Sequence, residues 1–140
     1  MRHRFLMIGA FFLLALLSQP SVLAAQEPAA VCALGTLREC GPELECLSAW
    51  QDPEPPGFIH VDVESSTMTI LSPPSRRGET TQILGMESGG DHIILTGIEA
   101  GRGWSMVIAI SDGDMTLSAT DDGFAFIGRG KCIDAGLLAP

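Results

Sequence analysis

Several residue types that support common functions are scarce in this sequence. Its 140 residues contain no tyrosine and no asparagine, and 8 Lys and Arg face 17 Asp and Glu, a formal net charge of −9. Binding to nucleic acid needs clustered basic side chains that neutralise phosphates, so this balance argues against a nucleic-acid partner. The sequence has no C-x-x-C pair and no G-x-S-x-G motif, which argues against a thioredoxin-like redox site and an α/β-hydrolase nucleophile.

The first 25 residues have the pattern of a cleaved secretory signal peptide. Residues 1–4 are basic, residues 5–17 form an apolar run of 13 residues, and residues 22–24 (Val-Leu-Ala) fit the small-x-small cleavage rule. The apolar run is shorter than the ~20 residues that a membrane-spanning helix needs; an uncleaved anchor is the alternative. Cleavage removes two arginines and no acid, which leaves a net charge of −11. We therefore expect a periplasmic or secreted protein without stable membrane insertion after cleavage.

Four cysteines, Cys32, Cys40, Cys46 and Cys132, lie beyond this segment. An even number in an exported chain predicts two disulfides. Because Cys132 alone is near the C-terminus, full pairing joins one N-terminal cysteine to it and leaves the other two to pair with each other. Along a helix, the N-terminal cysteines would be about 9–21 Å apart, beyond disulfide reach, so the chain must bend, and residues 41–42 (Gly-Pro) are the expected bend. The spacing lacks a C-x₂-C knuckle, which argues against zinc.

The chain beyond residue 57 reads as a succession of short strands. Residues 58–64 alternate between apolar and polar side chains, the period of a half-buried strand. Further apolar runs bounded by Gly, Asp, Ser and Pro predict strands over residues 67–71, 79–86, 92–98, 104–110, 115–120 and 124–127. Short turns join antiparallel neighbours. We therefore expect an all-β fold, an antiparallel meander of about seven strands that forms a small barrel or sandwich.

The N-terminal part of the mature chain differs in composition from these strands. Residues 26–56, which we call the lead-in, contain three cysteines and a Pro-rich linker, and residues 57–140 form the β domain, expected to fold as one unit with the disulfide-stapled lead-in. Residues 93–95 and 106–110 are apolar on both faces and need a second cover. The lead-in is the expected lid, or one of these faces lines a ligand cavity. The apolar contacts of such a lid would be Leu34, Leu37, Leu44, Leu47 and Trp50.

The sequence contains only weak candidates for a catalytic or metal-binding site. Ser88, Asp91 and His92 supply a nucleophile, an acid and a base, but a hairpin places them at strand ends or on opposite faces. His60 and His92 would hold a metal, with Asp62 and Glu64, only if their strands were neighbours. Solvated polar positions are the alternative. We expect no catalytic, cofactor-binding or metal-binding residues.

Three further features carry functional hypotheses. Two turns hold a set of carboxylates that would bind calcium weakly if the turns lay at one end of the fold, although turn chemistry also explains aspartate there. These residues are Asp112, Asp114, Asp121 and Asp122. Arg76 and Arg77 form a basic pair in the loop of residues 73–78. The pair is either a contact for an anionic partner or simply part of an exposed loop. Trp104 is expected in the core or as a cap on one barrel end.

The order of cysteines and strands resembles a group of small exported proteins of alphaproteobacteria. That group combines a signal peptide, a Cys-rich N-terminal lead-in, a strand-rich body and a last cysteine after an aromatic-x-Gly. The corresponding residues here are Cys32, Glu39-Cys40, Cys46 and Phe126-x-Gly128-x₃-Cys132. The resemblance implies export and a β-rich fold, and it implies no activity.

Together, these observations predict an exported, non-catalytic interaction or accessory protein of the bacterial envelope, with an unknown protein partner. The alternative is a small carrier that holds an apolar ligand in a barrel cavity. Neither function follows from the fold alone, because exported β folds serve many unrelated purposes.

Overall fold

The computed structural model describes residues 28–43, 45–48 and 54–139. The predicted signal peptide, Leu44 and Trp50 lie outside these ranges. The strands are β1 (Ala29–Cys40), β2 (Cys46–Ser48), β3 (Phe58–Asp62), β4 (Thr67–Ser72), β5 (Thr80–Gln82), β6 (Gly85–Gly89), β7 (His92–Glu99), β8 (Arg102–Ala109), β9 (Asp114–Asp121) and β10 (Phe124–Ile133). A 3₁₀ helix, Ala135–Leu138, follows β10. Within the described ranges, no helix has the length and apolar composition that crossing a membrane requires.

The strands form one antiparallel sheet that curls into a half-barrel. Nine strands follow the order β5-β4-β3-β1-β10-β9-β8-β7-β6, and β2 pairs with β1 beside this path. The predicted all-β antiparallel class is confirmed, with more strands than the seven expected. The outermost strands β5 and β6 are consecutive in the chain and separated only by Ile83 and Leu84. The chain therefore passes directly from one edge of the curled sheet to the other.

In its described residues, the lead-in is part of the sheet and not a lid over it, so the expectation is wrong for Leu34, Leu37 and Leu47. β1 pairs with β3 on one side and with β10 on the other. A central strand satisfies its backbone hydrogen bonds on both sides, and this favours insertion over a loop lying across the sheet. Leu47, expected to cover the sheet, is 69% exposed, and Ile94 on the outer face of β7 is 38% exposed.

Two strand boundaries differ from the prediction, each for a local reason. The strand expected over residues 79–86 is divided into β5 and β6 because the chain exchanges β4 for β7 as its partner near Ile83. The last strand continues past residue 127 to Ile133, so Cys132 lies within β10 and not beyond it. Gly128 and Gly130 lie within this last strand. In the sheet they lie beneath the side chain of Leu34 and the backbone of Ala33, respectively, where a Cβ would collide.

Both predicted disulfides are present, and their pairing is now defined. Cys32 bonds to Cys132, its direct partner in the β1–β10 register, and both are buried. Cys40 bonds to Cys46 across the β1–β2 hairpin. The chain turns between them as expected at residues 41–42, where the Gly41 amide donates to the Glu45 carbonyl at 3.1 Å.

The core fills the concave face of the half-barrel. Alternate residues of each strand point inward, so residues opposite one another across β7, β8 and β9 form rows. The row Ile93, Ile108 and Met115 lies toward the end where the 3₁₀ helix packs, with Leu138 of that helix only 1% exposed. We call this the closed end. The row Gly97, Trp104 and Ala119 lies at the opposite, open end.

Candidate functional site: an apolar cavity at the open end

A cavity of about 270 Å³ occupies the open end of the half-barrel. Its apolar walls are side chains of β1, β3, β4, β8, β9 and β10, and Thr80 and Thr81 of β5 also line it. The apolar wall residues are Leu34, Leu37, Ile59, Met68, Ile70, Trp104, Leu117, Ala119 and Phe126. The strands place them there through the period-two alternation that also builds the core. An apolar concave site with few polar groups is the usual form of a small-molecule binding site.

Small residues flank Trp104 in one row of the sheet beside the cavity. Ala119 on β9 pairs with Trp104 on β8 and with Phe126 on β10, so a methyl group separates two aromatic side chains. On the other side of Trp104 lies Gly97, where a Cβ would overlap the indole ring. The indole is 7% exposed, and its Nε1 is buried without a hydrogen-bond partner in the described part of the chain. Trp104 is thus both a core residue and a wall of the cavity.

Charged side chains of both signs surround the mouth of the cavity. Arg76 donates from Nε and Nη2 to the Glu79 carboxylate at 2.9 and 2.7 Å, and the Arg76 side chain is only 17% exposed. On the opposite side, the β7–β8 turn contributes Glu99 and Arg102. The Arg102 guanidinium carbon lies 5.5 Å from the centre of the Phe126 ring, within cation–π range. The mouth therefore carries two guanidinium groups and two carboxylates.

The structure separates the residues of the predicted metal site. His60 lies on β3 and His92 on β7, with β1, β10, β9 and β8 between them in the sheet. The Asp62 carboxylate accepts a hydrogen bond from the Ser65 amide at 3.0 Å, and hydrogen bonds from Ser65 lower the pKa of Asp62. In the described ranges no group of three or more His, Cys, Asp or Glu side chains is placed to hold a metal ion.

The Ser88, Asp91 and His92 set does not form a catalytic arrangement. Ser88 pairs with Ile93, so its side chain and that of His92 point to opposite faces of the β6–β7 hairpin. Asp91 accepts hydrogen bonds from the amide and hydroxyl of Ser111. Its carboxylate therefore holds the β8–β9 turn against the β6–β7 turn.

The two aspartate-rich turns lie at opposite ends of β9, so the condition for a shared calcium site is not met. One turn, containing Asp112, precedes β9, and the other, containing Asp122, follows it. Eight extended residues, Asp114–Asp121, span about 27 Å. Asp114 pairs with Lys131 at 2.8 Å, and this contact lowers the pKa of Asp114 and raises the pKa of Lys131.

Only part of the cavity was visible in the sequence. Arg76, expected in an exposed loop, bends back to the cavity mouth, whereas its neighbour Arg77 is exposed and donates to the Leu71 carbonyl at 3.0 Å. The doubly apolar segments 93–95 and 106–110, whose alternative role was to line a ligand cavity, do not line this one. Among the cavity walls, the sequence offered no indication of Ala119, and it singled out Phe126 only through the resemblance. The signal that would have identified them is the alignment of a small residue with aromatic residues on adjacent strands. This alignment can be recognised only when the strand pairing is known.

No family model, no curated protein and no solved structure shows significant similarity to this chain. The class that the fold defines is a disulfide-bonded, all-β half-barrel. Disulfides of this kind are typical of proteins that fold in an oxidising compartment.

Proposed function

We propose that this protein is an exported, non-catalytic accessory protein that binds a small apolar molecule in the cavity at its open end. The observation that carries the proposal is the cavity itself, with its apolar walls and volume of about 270 Å³. A dry engineered cavity of roughly 150 Å³ already binds benzene. Export to the periplasm or the medium follows from the signal-like N-terminus, and the two disulfides are compatible with it.

The energetic argument is the transfer of apolar surface out of water. The cavity walls at Leu37, Ala119 and Phe126 are half-buried in the ligand-free protein, so part of their apolar surface contacts solvent. A bound molecule removes both this surface and its own from water, at roughly 25 cal/mol per Å² before the cost of association.

Native mass spectrometry of the full chain, produced with its leader in a bacterial host and recovered from the periplasm, tests the proposal. We expect an adduct of a few hundred daltons that is lost on denaturation. Ala119→Leu fills the cavity and should abolish the adduct. Thr120→Leu adds a similar side chain at an exposed position of the same strand and should retain it. An adduct present equally in both variants, or absent from the wild-type protein, contradicts cavity binding.

A second candidate function is docking to a protein partner. The observation that favours it is the exposed apolar surface on the outer face of β7, where Ile94 is 38% and Ile98 62% exposed. Exposed apolar patches often mark protein contacts. Ile94→Glu with Ile98→Lys should abolish capture of such a partner from an envelope extract and leave the cavity adduct intact. Loss of the adduct in this variant would contradict the separation of the two surfaces.

A further inference from the structure

Large aliphatic and thioether side chains supply most of the apolar surface of the cavity. The two aromatic wall residues contribute less open surface, because Trp104 is 7% exposed and the Arg102 guanidinium carbon lies 5.5 Å from the centre of the Phe126 ring. An unbranched hydrocarbon chain rotates about its single bonds and follows an irregular aliphatic surface, whereas a planar ring needs a flat face. The walls therefore favour an aliphatic tail. The aliphatic and thioether residues are Leu34, Leu37, Ile59, Met68, Ile70 and Leu117.

The inner part of the cavity borders the packed core. Ile59 and Met68 are 4% and 6% exposed and belong to the core, and Leu34, Leu117 and Ala119 pack against it. A cavity of roughly 150 Å³ holds the six carbons of benzene, about 25 Å³ for each carbon. The cavity volume of about 270 Å³ therefore has room for a tail of about ten carbons.

At the mouth of the cavity, both guanidinium groups already have contacts. Arg76 donates from Nε and Nη2 to the Glu79 carboxylate at 2.9 and 2.7 Å, and its Nη1 lies 3.5 Å from the Glu54 carbonyl oxygen. The Arg102 guanidinium lies over the Phe126 ring. A ligand carboxylate would have to displace one of these contacts, so the mouth disfavours an anionic head group.

Glu99 differs from the other charged residues of the mouth. It is exposed at the end of β7 and lines the cavity, and its carboxylate makes no hydrogen bond or ion pair with the residues that the structure describes. The net charge of −9 creates a field that attracts cations and repels anions. A cationic head group at the mouth would therefore meet an available carboxylate in a favourable field.

We propose that the cavity binds a single-chain cationic amphiphile, with an aliphatic tail of about ten carbons against Leu34, Met68 and Leu117 and an ammonium head beside Glu99. This inference rests on the proposed function and specifies the class of its ligand. The tail supplies most of the affinity, about four-fold for each buried methylene group. The ion pair lies at an exposed mouth, so it adds a smaller preference of about three-fold.

Isothermal titration calorimetry at pH 7 and low ionic strength tests the tail and the head separately. For the tail, the probes are hexyl-, octyl-, decyl- and dodecylammonium. The Kd should fall about fifteen-fold for each two carbons up to decylammonium and change less than about two-fold beyond it. For the head, the probes are decylammonium, 1-decanol and decanoate. Decylammonium should bind about three-fold more tightly than 1-decanol, and decanoate should bind most weakly.

Two pairs of variants assign the head and the tail to their sites. Glu99→Gln should remove the preference for decylammonium over 1-decanol and leave the Kd of 1-decanol unchanged. Glu87→Gln makes the same change of charge at an exposed position that does not line the cavity, and it should keep the preference. Ala119→Leu adds three carbons to the wall, so it should weaken decylammonium at least ten-fold and hexylammonium much less. Thr120→Leu should leave both Kd values unchanged, and circular dichroism checks that each variant is folded.

Each contrary result has a distinct meaning. Binding of 1-decanol or decanoate as tight as that of decylammonium overturns the cationic head, and a preference that survives Glu99→Gln overturns its place beside Glu99. A Kd that does not depend on chain length overturns the aliphatic tail. If no alkylammonium binds while the native protein carries an adduct that Ala119→Leu abolishes, this inference is wrong and the proposed function stands. If there is neither binding nor adduct, the proposed function fails as well.

Discussion

The two ends of the half-barrel use the same sheet in opposite ways. At the closed end, inward-facing Ile93 and Ile108 are fully buried, and Leu138 of the 3₁₀ helix is 1% exposed. At the open end, the corresponding row places Gly97 and Ala119 on either side of Trp104 and leaves a cavity. Strand register is continuous between the two rows, so the ends differ in side-chain volume and in the 3₁₀ helix that packs at the closed end.

The largest expected effect comes from the disulfide buried in the core. Replacing Cys32 and Cys132 by alanine opens a loop of 100 residues and should lower the free energy of unfolding by about 4–5 kcal/mol. The control pair, Cys40→Ala with Cys46→Ala, opens a loop of 6 residues and should cost about 2 kcal/mol. Urea denaturation under non-reducing conditions measures both. Equal losses would mean that the long link contributes no more than the short one.

The next effect compares a leucine at each end. Leu138→Ala removes a side chain that is 1% exposed and leaves a hole at the closed end, so unfolding free energy should fall by about 3 kcal/mol. Leu37→Ala at the open end removes a half-buried side chain that already borders a cavity and should cost about 1 kcal/mol. Chemical denaturation of the two variants side by side tests this. A larger loss for Leu37→Ala would reverse the comparison.

Enlarging an alanine should lower the free energy of unfolding in the packed core and leave it nearly unchanged at the open end. Ala30 is 2% exposed in the packed core, so Ala30→Leu should destabilise the protein by about 2 kcal/mol through overpacking. Ala119→Leu extends into the cavity and should change stability by less than about 0.5 kcal/mol, because lost space and gained apolar contact offset each other. Thermal unfolding followed by circular dichroism distinguishes them. If Ala119→Leu were as destabilising as Ala30→Leu, the open end would be packed and not hollow.

The smallest effect concerns the outer surface near the closed end. The hydrogen bond and charge of Lys131 lower the pKa of Asp114, and Arg129 contributes less. A carboxyl whose pKa is lowered by folding stabilises the folded state above its unfolded pKa, and this contribution disappears as pH falls through the folded value. Lys131→Met should return the Asp114 pKa toward its ordinary value, and Arg129→Met should move it less. Carbon-detected NMR titration of the aspartates measures both, and an unchanged value in Lys131→Met would refute the assignment.

Much of the fold was predictable because its signals are local. Turn residues such as those around Gly113 and period-two runs such as β3 define strands without reference to partners. The role of the lead-in was not predictable in this way. β1 carries Cys32, Leu34 and Gly35 in a pattern without clean alternation, and its bulge between Leu34 and Thr36 breaks the period that would have revealed a strand.

The open-end site was less predictable than the fold for a related reason. Ala119 and Phe126 have no shared sequence motif, and only the β9–β10 register brings them together. Arg76 belongs to a Pro-rich loop whose return to the cavity mouth depends on its ion pair with Glu79 and on a 3.5 Å contact to the Glu54 carbonyl. The ion pair is local in sequence, three residues apart, whereas the Glu54 contact joins residues 22 apart and depends on tertiary geometry.

The position of β1 between β3 and β10 has a consequence for the order of folding. β1 is synthesised first, yet one of its two neighbours, β10, is the last strand of the chain. The consecutive hairpins of β7 to β10 can form as soon as they emerge, because each contact joins residues close in sequence. The edge of β10 stays unpaired until β1 docks against it, at the cost of closing a long loop. A chain that lacks β10 therefore has its first strand without the partner that completes the sheet.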